Sequence, residues 1–404
     1  MMTISRLFQQ RRATMNSRVV RSLNRALVLD LVRERGPISR ASLARISSLN
    51  KSTVSSIVNG LLEEDLLAEE LVKNTVVGRK PLNLHLKTGK HLVGALSFDS
   101  KVTRLAIVDI DGTIRHTLDV PTNGSPVRDF VSACITHLET ARKQHRFPRL
   151  ESIGITVAGV VDASQSIVEY APFLGWKDLD LGALVRDIVP EVSVVAIEND
   201  AKASAVAELF FGRHKSRLGS FVFLSVSEGV GAGIVIDSVV LKGQAHLAGE
   251  FGHVTLVEGG EPCECGNRGC WQAYASERAT VSRYARSRQL SHQEAEKVTM
   301  RQIIHAASMG DAFAREELVR MGDYLGLGIS NIIKAVDPDT IVIGGQITGA
   351  WDLVYPAIVG GVRKGGFYGK LDHATILPTS LGEMPSVLGA AAISYRKVFG
   401  TTTS

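Results

Sequence analysis

Residues Gly249–Ala275, GEFGHVTLVEGGEPCECGNRGCWQAYA, decide how the rest of the chain is read. Three of the four cysteines, Cys263, Cys265 and Cys270, fall here within eight positions, and His253 stands ten residues before the first of them. Thiolates at Cys-x-Cys-x4-Cys spacing, punctuated by Gly266 and Gly269, can converge on one point through tight turns. Three sulfurs and one imidazole make a closed tetrahedral site of the structural Cys3His kind, so one structural Zn2+ per chain is expected. Incidental buried cysteines are the alternative, and the clustering disfavours them.

Composition sets the frame around this stretch. A chain of 404 residues has room for two or three domains, at about 100–200 residues per domain. An apolar content of 45% and a charged content of 22% are those of an ordinary soluble globular protein. No apolar run is long enough to span a bilayer, and the N-terminal MMTISRLFQQRRATMNSR is a polar, basic leader without a signal core. Outside the metal stretch the remaining cysteine is Cys134, the usage of a reducing cytoplasm.

The net charge of +5 conceals an asymmetry. Residues 1–90 carry 16 Lys and Arg against 7 Asp and Glu, while the other 314 carry 30 against 34. A basic arm on a slightly acidic body points to a polyanionic partner for the arm. From Asn24, NRALVLDLVRERG has apolar residues at helical spacing and Gly36-Pro37 as its stop. Ser39 caps a short second helix, and Asn50 caps a third, KSTVSSIVNGLLEEDLL, with Val54, Ile57, Val58, Leu61 and Leu62 on its buried face. The opposite face is small and polar: Lys51, Ser52, Thr53, Ser55, Ser56 and Asn59. Two strand-like runs, Leu67–Leu71 and the strictly alternating Leu82–Leu86, flank a turn that carries Arg79 and Lys80. This order describes a winged helix-turn-helix over residues 1–88, whose third helix would read the major groove of a double-stranded DNA operator. Arg79 and Lys80 would grip phosphate or enter the minor groove. A helical protein-interaction module with a solvated basic face is the alternative.

After Lys90 strands and helices alternate, which predicts two α/β lobes with a cleft between them over residues 89–404. The run Ile153–Val161 reads as one strand, and Glu228-Gly229-Val230-Gly231-Ala232 as a glycine-rich turn. Asp109-Ile110-Asp111-Gly112-Thr113 looks like a phosphatase nucleophile motif, but the same letters spell an Asp-Gly hairpin turn. The turn is favoured, because no later lysine and paired acids complete the phosphatase set.

From about Asn24 to its end the chain resembles the ROK family of bacterial sugar-responsive repressors and sugar kinases. The residues that carry the resemblance are the cysteine stretch, Glu250-Phe251-Gly252-His253, Asn199-Asp200-Ala201, Ala158–Asp162 and Leu174-Gly175-Trp176. The resemblance implies an actin-like ATPase fold with a sugar pocket between the lobes. Gly159, Asn199, Asp200, Glu250, His253 and Gln272 would face the sugar, with His253 using its second ring nitrogen on zinc. In a kinase of the family the residue matching Asp200 is the catalytic base. The family's first phosphate-binding hairpin, Asp-x-Gly-Gly-Thr, is replaced here by Ser97-Phe98-Asp99-Ser100-Lys101, and Ser227-Glu228 replaces the Gly-Thr of the second. Phosphoryl transfer depends on positioning and charge stabilisation, so these losses predict neither ATP binding nor catalysis, with Asp200 a vestigial base. Gln272 and Phe173 stand where a Glu and an Asn are usual, which leaves the identity of the sugar open. The resulting expectation is a cytoplasmic, sugar-controlled repressor acting as a homodimer or homotetramer. The alternatives are an active sugar kinase with an attached DNA-binding domain, and a regulator that senses a partner protein.

Overall fold

A computed structural model of the chain describes residues 17–71, 82–122, 124–192, 194–214, 218–366 and 373–399. At the N-terminal end, α1 (Ser17–Arg35), α2 (Arg40–Ser47) and α3 (Lys51–Glu63) pack on a small sheet of β1 (Ile38–Ser39), β2 (Leu67–Leu71) and β3 (Leu82–Leu86), in the order β1-β3-β2. The caps follow the sequence: Ser39 accepts from Ser42 N, and Asn50 Oδ1 accepts from Thr53 N at 2.7 Å. Val54, Val58 and Leu61 of α3 are buried against Val28, Val32 and Leu43.

Two boundaries differ from expectation. α1 begins seven residues before Asn24, taking in Val19, Val20 and Leu23 ahead of the expected start. α3 stops at Glu63 rather than running to Leu67, where Asp65 adopts φ 61° and turns the chain into β2. The two-residue β1, paired with β3 at Ile38 and Leu84, was too short to read in advance. Arg79 and Lys80 lie outside the described residues.

The body holds two mixed five-stranded sheets. The first has the order β11-β7-β4-β5-β6, from β4 (Leu92–Phe98), β5 (Val102–Asp109), β6 (Ile114–Pro121), β7 (Leu150–Val157) and β11 (Val194–Asn199). Helices α4 (Val127–Gln144) and α5 (Leu181–Ile188) cover one face. A small side sheet is formed by β8 (Val160–Asp162), β9 (Ile167–Ala171) and β10 (Trp176–Leu179). The second large sheet has the order β14-β13-β12-β15-β16, from β12 (Phe221–Val226), β13 (Val230–Ile236), β14 (Val239–Val240), β15 (Thr340–Gly344) and β16 (Thr375–Pro378). It is covered by α8 (Met300–Ser308), the 25-residue α9 (Ala312–Val336) and α10 (Trp351–Lys364), with α7 (Glu277–Ser287) packed on α9. Between the sheets lie α6 (Asp200–Phe211) and α11 (Pro385–Phe399), packed on each other.

Three details correct or settle the sequence reading. The strand expected to run through Val161 breaks at Ala158-Gly159, where a side chain on Gly159 would fall 2.4 Å from Tyr170 O. The glycine-rich turn is confined to Ser227–Gly229, closed by Ser227 N donating to Gly229 O at 2.9 Å. Gly231 and Gly233 belong to β13, and a Cβ on Gly233 would meet Ala201 O at 2.5 Å, so glycine there admits α6 rather than a phosphate. Asp109 is buried, held by the Arg115 guanidinium at 2.6 and 2.9 Å and by Gly89 N, and Gly112 closes the hairpin at φ 86°. A carboxylate so enclosed is structural, which excludes the phosphatase reading. No helix among the described residues is long and apolar enough to cross a membrane.

Candidate functional site

Three close approaches dock the cysteine stretch on β13 and close its turns. A Cβ on Gly249 (φ 93°) would lie 2.0 Å from Ala232 O, and one on Gly252 would lie 2.0 Å from Val230 O. One on Gly269 (φ 77°) would lie 1.6 Å from Val257 O, so the hairpin carrying Cys263 and Cys270 closes only with glycine there. Leu256 N and Val257 N donate to Gly269 O, and Cys263 N donates to Asn267 O. Trp271 anchors the stretch from behind: it is buried, and its indole N–H donates to Tyr324 O at 2.7 Å.

These constraints bring His253, Cys263, Cys265 and Cys270 together, with all four ligand atoms within 4.8 Å of one another. Cys263 Sγ lies 3.7 Å from His253 Nδ1, and Cys265 Sγ lies 3.7 Å from Cys270 Sγ. A tetrahedron of ligands around zinc, with Zn–S near 2.3 Å, has S···S edges of about 3.8 Å. The donor set and its spacing therefore fit a structural zinc ion. Gln272, expected to face a sugar, is buried and points its Nε2 at Cys263 Sγ, 3.4 Å away, a thiolate-supporting contact. Cys134 is remote from this chemistry, a buried core thiol whose pKa burial pushes up to about 11.

Beside the cluster stand the other residues expected to face a sugar. With His253 Nδ1 turned to the sulfurs, Nε2 faces Glu250 Oε2 at 4.0 Å. Asn199 ends β11 and caps α6: its Oδ1 accepts from Ala201 N and Lys202 N, and its Nδ2 donates to Gly159 O at 2.9 Å. The Asn199 amide therefore positions the cleft wall through its own backbone contacts. Asp200 and Glu250 are the half-buried carboxylates of this wall. Burial, then Asp99 and Glu250, pushes the Asp200 carboxyl up to about 7, and burial raises Glu250. Lys202, which the sequence reading passed over, is buried, and its ammonium donates to His246 O at 2.6 Å. It had no signal in advance, since its burial depends on the distant loop that covers it.

On the other side of Asp200 is a cavity of about 300 Å³ between the lobes. Its acids are Asp99, Asp200, Glu228, Glu277 and Glu383, and its cations Lys101, Arg104 and Arg278, with Lys101 reaching across to Glu228 at 3.0 Å. Burial raises Asp99 and, aided by Glu228 and Asp99, pushes Glu277 up to about 7 against two hydrogen bonds from Gln346. Carboxylates raised by burial first and by one another second make a space that disfavours further negative charge. Trp176 of the loop expected beside a sugar is instead buried against Phe98, ring centroids 5.0 Å apart.

At the N-terminal end, Lys51, Ser52, Ser56 and Asn59 of α3 are exposed on one side, with Thr53 and Ser55 half-buried between them. Arg40 of α2, not singled out from sequence, donates to Asn59 Oδ1 at 2.8 Å and pairs with Glu69 Oε1 at 2.8 Å, tying this surface to β2.

Comparison with known proteins bears on both regions. A xylose repressor of Bacillus spizizenii is 34% identical over 385 residues, covering 93% of this chain and 95% of the repressor. A glucokinase of Streptomyces coelicolor is 31% identical over 303 residues, covering 71% of this chain and 92% of the kinase. A crystal structure of a ROK family transcriptional regulator, a homologue of the E. coli MLC protein, superposes with a TM-score of 0.77 at 27% identity, covering 95% of this chain and 98% of its own. The α/β architecture of mixed sheets is that of ROK regulators and sugar kinases. The ROK family model matches residues 95–397, and the chain belongs to the ROK family.

Proposed function

We propose that this chain is a sugar-responsive transcriptional repressor, with a winged helix-turn-helix over residues 1–88 and a two-lobed sensor over 89–404. The observation that carries the reading is one of extent. The xylose repressor matches 93% of the chain, which reaches well into the residues before position 95, whereas the glucokinase matches 71%. What the regulators share beyond the kinase is the part with the three helices and the small sheet.

In this reading α3 enters the major groove, with Lys51, Ser52, Thr53, Ser55, Ser56 and Asn59 toward phosphates and base edges, and Arg79 and Lys80 as further contacts. The sugar lies at Asp200, Glu250 and His253, with Gly159, Asn199 and Gln272 shaping the wall. It controls DNA affinity by binding the DNA-competent and incompetent states unequally. A structural zinc at His253, Cys263, Cys265 and Cys270 would fix one wall of the pocket, and the protein would act as a homodimer or tetramer on a two-fold operator.

The second reading is a sugar kinase with an attached DNA-binding domain, favoured by the glucokinase match and by Asp200, the residue placed to act as base. The acids of the interlobe cavity, five against the three cations Lys101, Arg104 and Arg278, argue against it, because they would meet the phosphates of a nucleotide. Thermal stability against a panel of sugars, D-xylose first, with and without Mg-ATP, separates the two. A ligand at 100 times its dissociation constant adds about 2.7 kcal/mol. A shift with one sugar and none with ATP supports the sensor; a shift with ATP and ADP release restores the kinase.

A further inference from the structure

We infer that α6 carries the sugar signal from the cleft to the DNA-binding arm, through the contact of Phe210 with Arg33. The inference rests on the sugar-sensor reading above. The first residue of α6 is Asp200, in the proposed sugar pocket, and Phe210 lies in its last turn. The Arg33 guanidinium of α1 sits over the Phe210 ring, 3.6 Å from its centroid. Twelve residues of helix span about 18 Å, so one rigid element reaches from pocket to arm.

Its packing makes α6 move as a unit. A Cβ on Gly389 of α11 would fall 2.7 Å from Ala203 C, and one on Gly231 would fall 2.9 Å from Ala201 Cβ. Backbone approaches this close leave no side chains to deform, so a displaced first turn is passed along the helix. At the far end Glu208 is buried and accepts from Thr379 Oγ1 and Ser380 Oγ, both at 2.7 Å, which keeps the last turn in register with the second lobe.

The arm, by contrast, has room to respond. A cavity of about 330 Å³ separates α1 from the body, bordered by Leu29, Arg33, Phe210, Leu218, Tyr395 and Phe399. Phe210 stacks parallel to Tyr395 at 6.4 Å, and the Tyr395 hydroxyl donates to His91 O and Val108 O in the first lobe. Phe210 is therefore a moving contact set against an anchored ring. A small slide of α6 along α11 changes the seat of Arg33, while the Tyr395 hydroxyl holds the end of α11 to the first sheet.

The test uses the full chain as wild type, Arg33→Met, Arg33→Lys and Phe210→Leu. D-xylose and D-glucose are the probes, with sugar binding read by calorimetry. Arm response is read by amide hydrogen exchange in α1 and by affinity for a DNA duplex selected from a random library by the wild type. In Arg33→Met and Phe210→Leu the sugar-dependent change in DNA affinity should fall by about fivefold, sugar affinity staying within about twofold, and Arg33→Lys should recover part of the response. Two variants on opposite sides of the contact keep the test intact should one fail to fold. If the wild type responds and both variants respond as fully, α6 is not the route. If the wild type binds neither sugar, or binds one without any change in the arm, the sensor reading fails first and takes this inference with it.

Discussion

Replacing Glu277 with glutamine is expected to stabilise the protein at alkaline pH and to change it little near pH 5. Glu277 is buried at the start of α7, accepting from Gln346 N at 2.8 Å and Gln346 Nε2 at 2.9 Å. Burial, with Glu228 and Asp99 nearby, pushes its carboxyl from 4.5 up to about 7. The folded state thus holds this proton more tightly than the unfolded chain. The group's full stability is present below about pH 4.5 and is lost as pH rises through 7. At about 1.4 kcal/mol per pH unit, the cost at pH 8 has an upper bound of roughly 3.5 kcal/mol. Glutamine removes the titration but keeps the shape. Its oxygen retains the bond from Gln346 N, and a flip of the Gln346 amide restores the second. Urea unfolding of both proteins from pH 5 to 8.5 reads the difference directly. Asp200 contributes the same slope to both curves and cancels. The curves should lie within about 1 kcal/mol of each other at pH 5 and part by a further 2–3 kcal/mol or so at pH 8. Parallel curves would show that Glu277 ionises normally and that the interlobe cavity is not hostile to charge.

Three further outcomes follow from particular residues. Cys263→Ser should remove the bound metal, one zinc per chain falling to none by elemental analysis, and lower Tm by roughly 4–8 °C through a loss of about 2 kcal/mol or more; full metal content in the variant would discard the ligand assignment. Gly249→Ala places a methyl 2.0 Å from Ala232 O at φ 93° and should cost about 2–3 kcal/mol, so a change below about 0.5 kcal/mol in urea unfolding would contradict the docking of the cysteine stretch on β13. Lys51→Ala should weaken DNA binding on every sequence and reduce the slope of log K against log salt by about one, and an unchanged slope would take Lys51 out of the interface.

What was legible in advance has a common character. Ser39 and Asn50 announced the starts of α2 and α3 because a cap is a local interaction, and both side chains make the expected bonds. The Cys3His grouping was legible because cysteine chemistry is rare and its spacing is short. Even so, the fourth ligand, His253, meets Cys263 only because Gly249, Gly252 and Gly269 let the stretch lie flat on β13 and on itself.

The order of strands within the two sheets, and the helices between them, came from tertiary packing. Nothing local says that Gly231 and Gly233 serve helix approach rather than a phosphate turn, because the same glycines satisfy both and only the position of α6 chooses. Asn199 and Gln272 were expected to address a sugar, yet their amides are engaged with Gly159 O and Cys263 Sγ, partners 40 and 9 residues away. The sequence by itself determined the candidate metal donors, the helix caps, the basic arm and the family pattern, all set by residue type at short range. Which carboxylates share a cavity, that Lys202 is buried, and that Phe210 meets Arg33 were decided by tertiary structure alone, since each depends on surfaces brought together from distant parts of the chain.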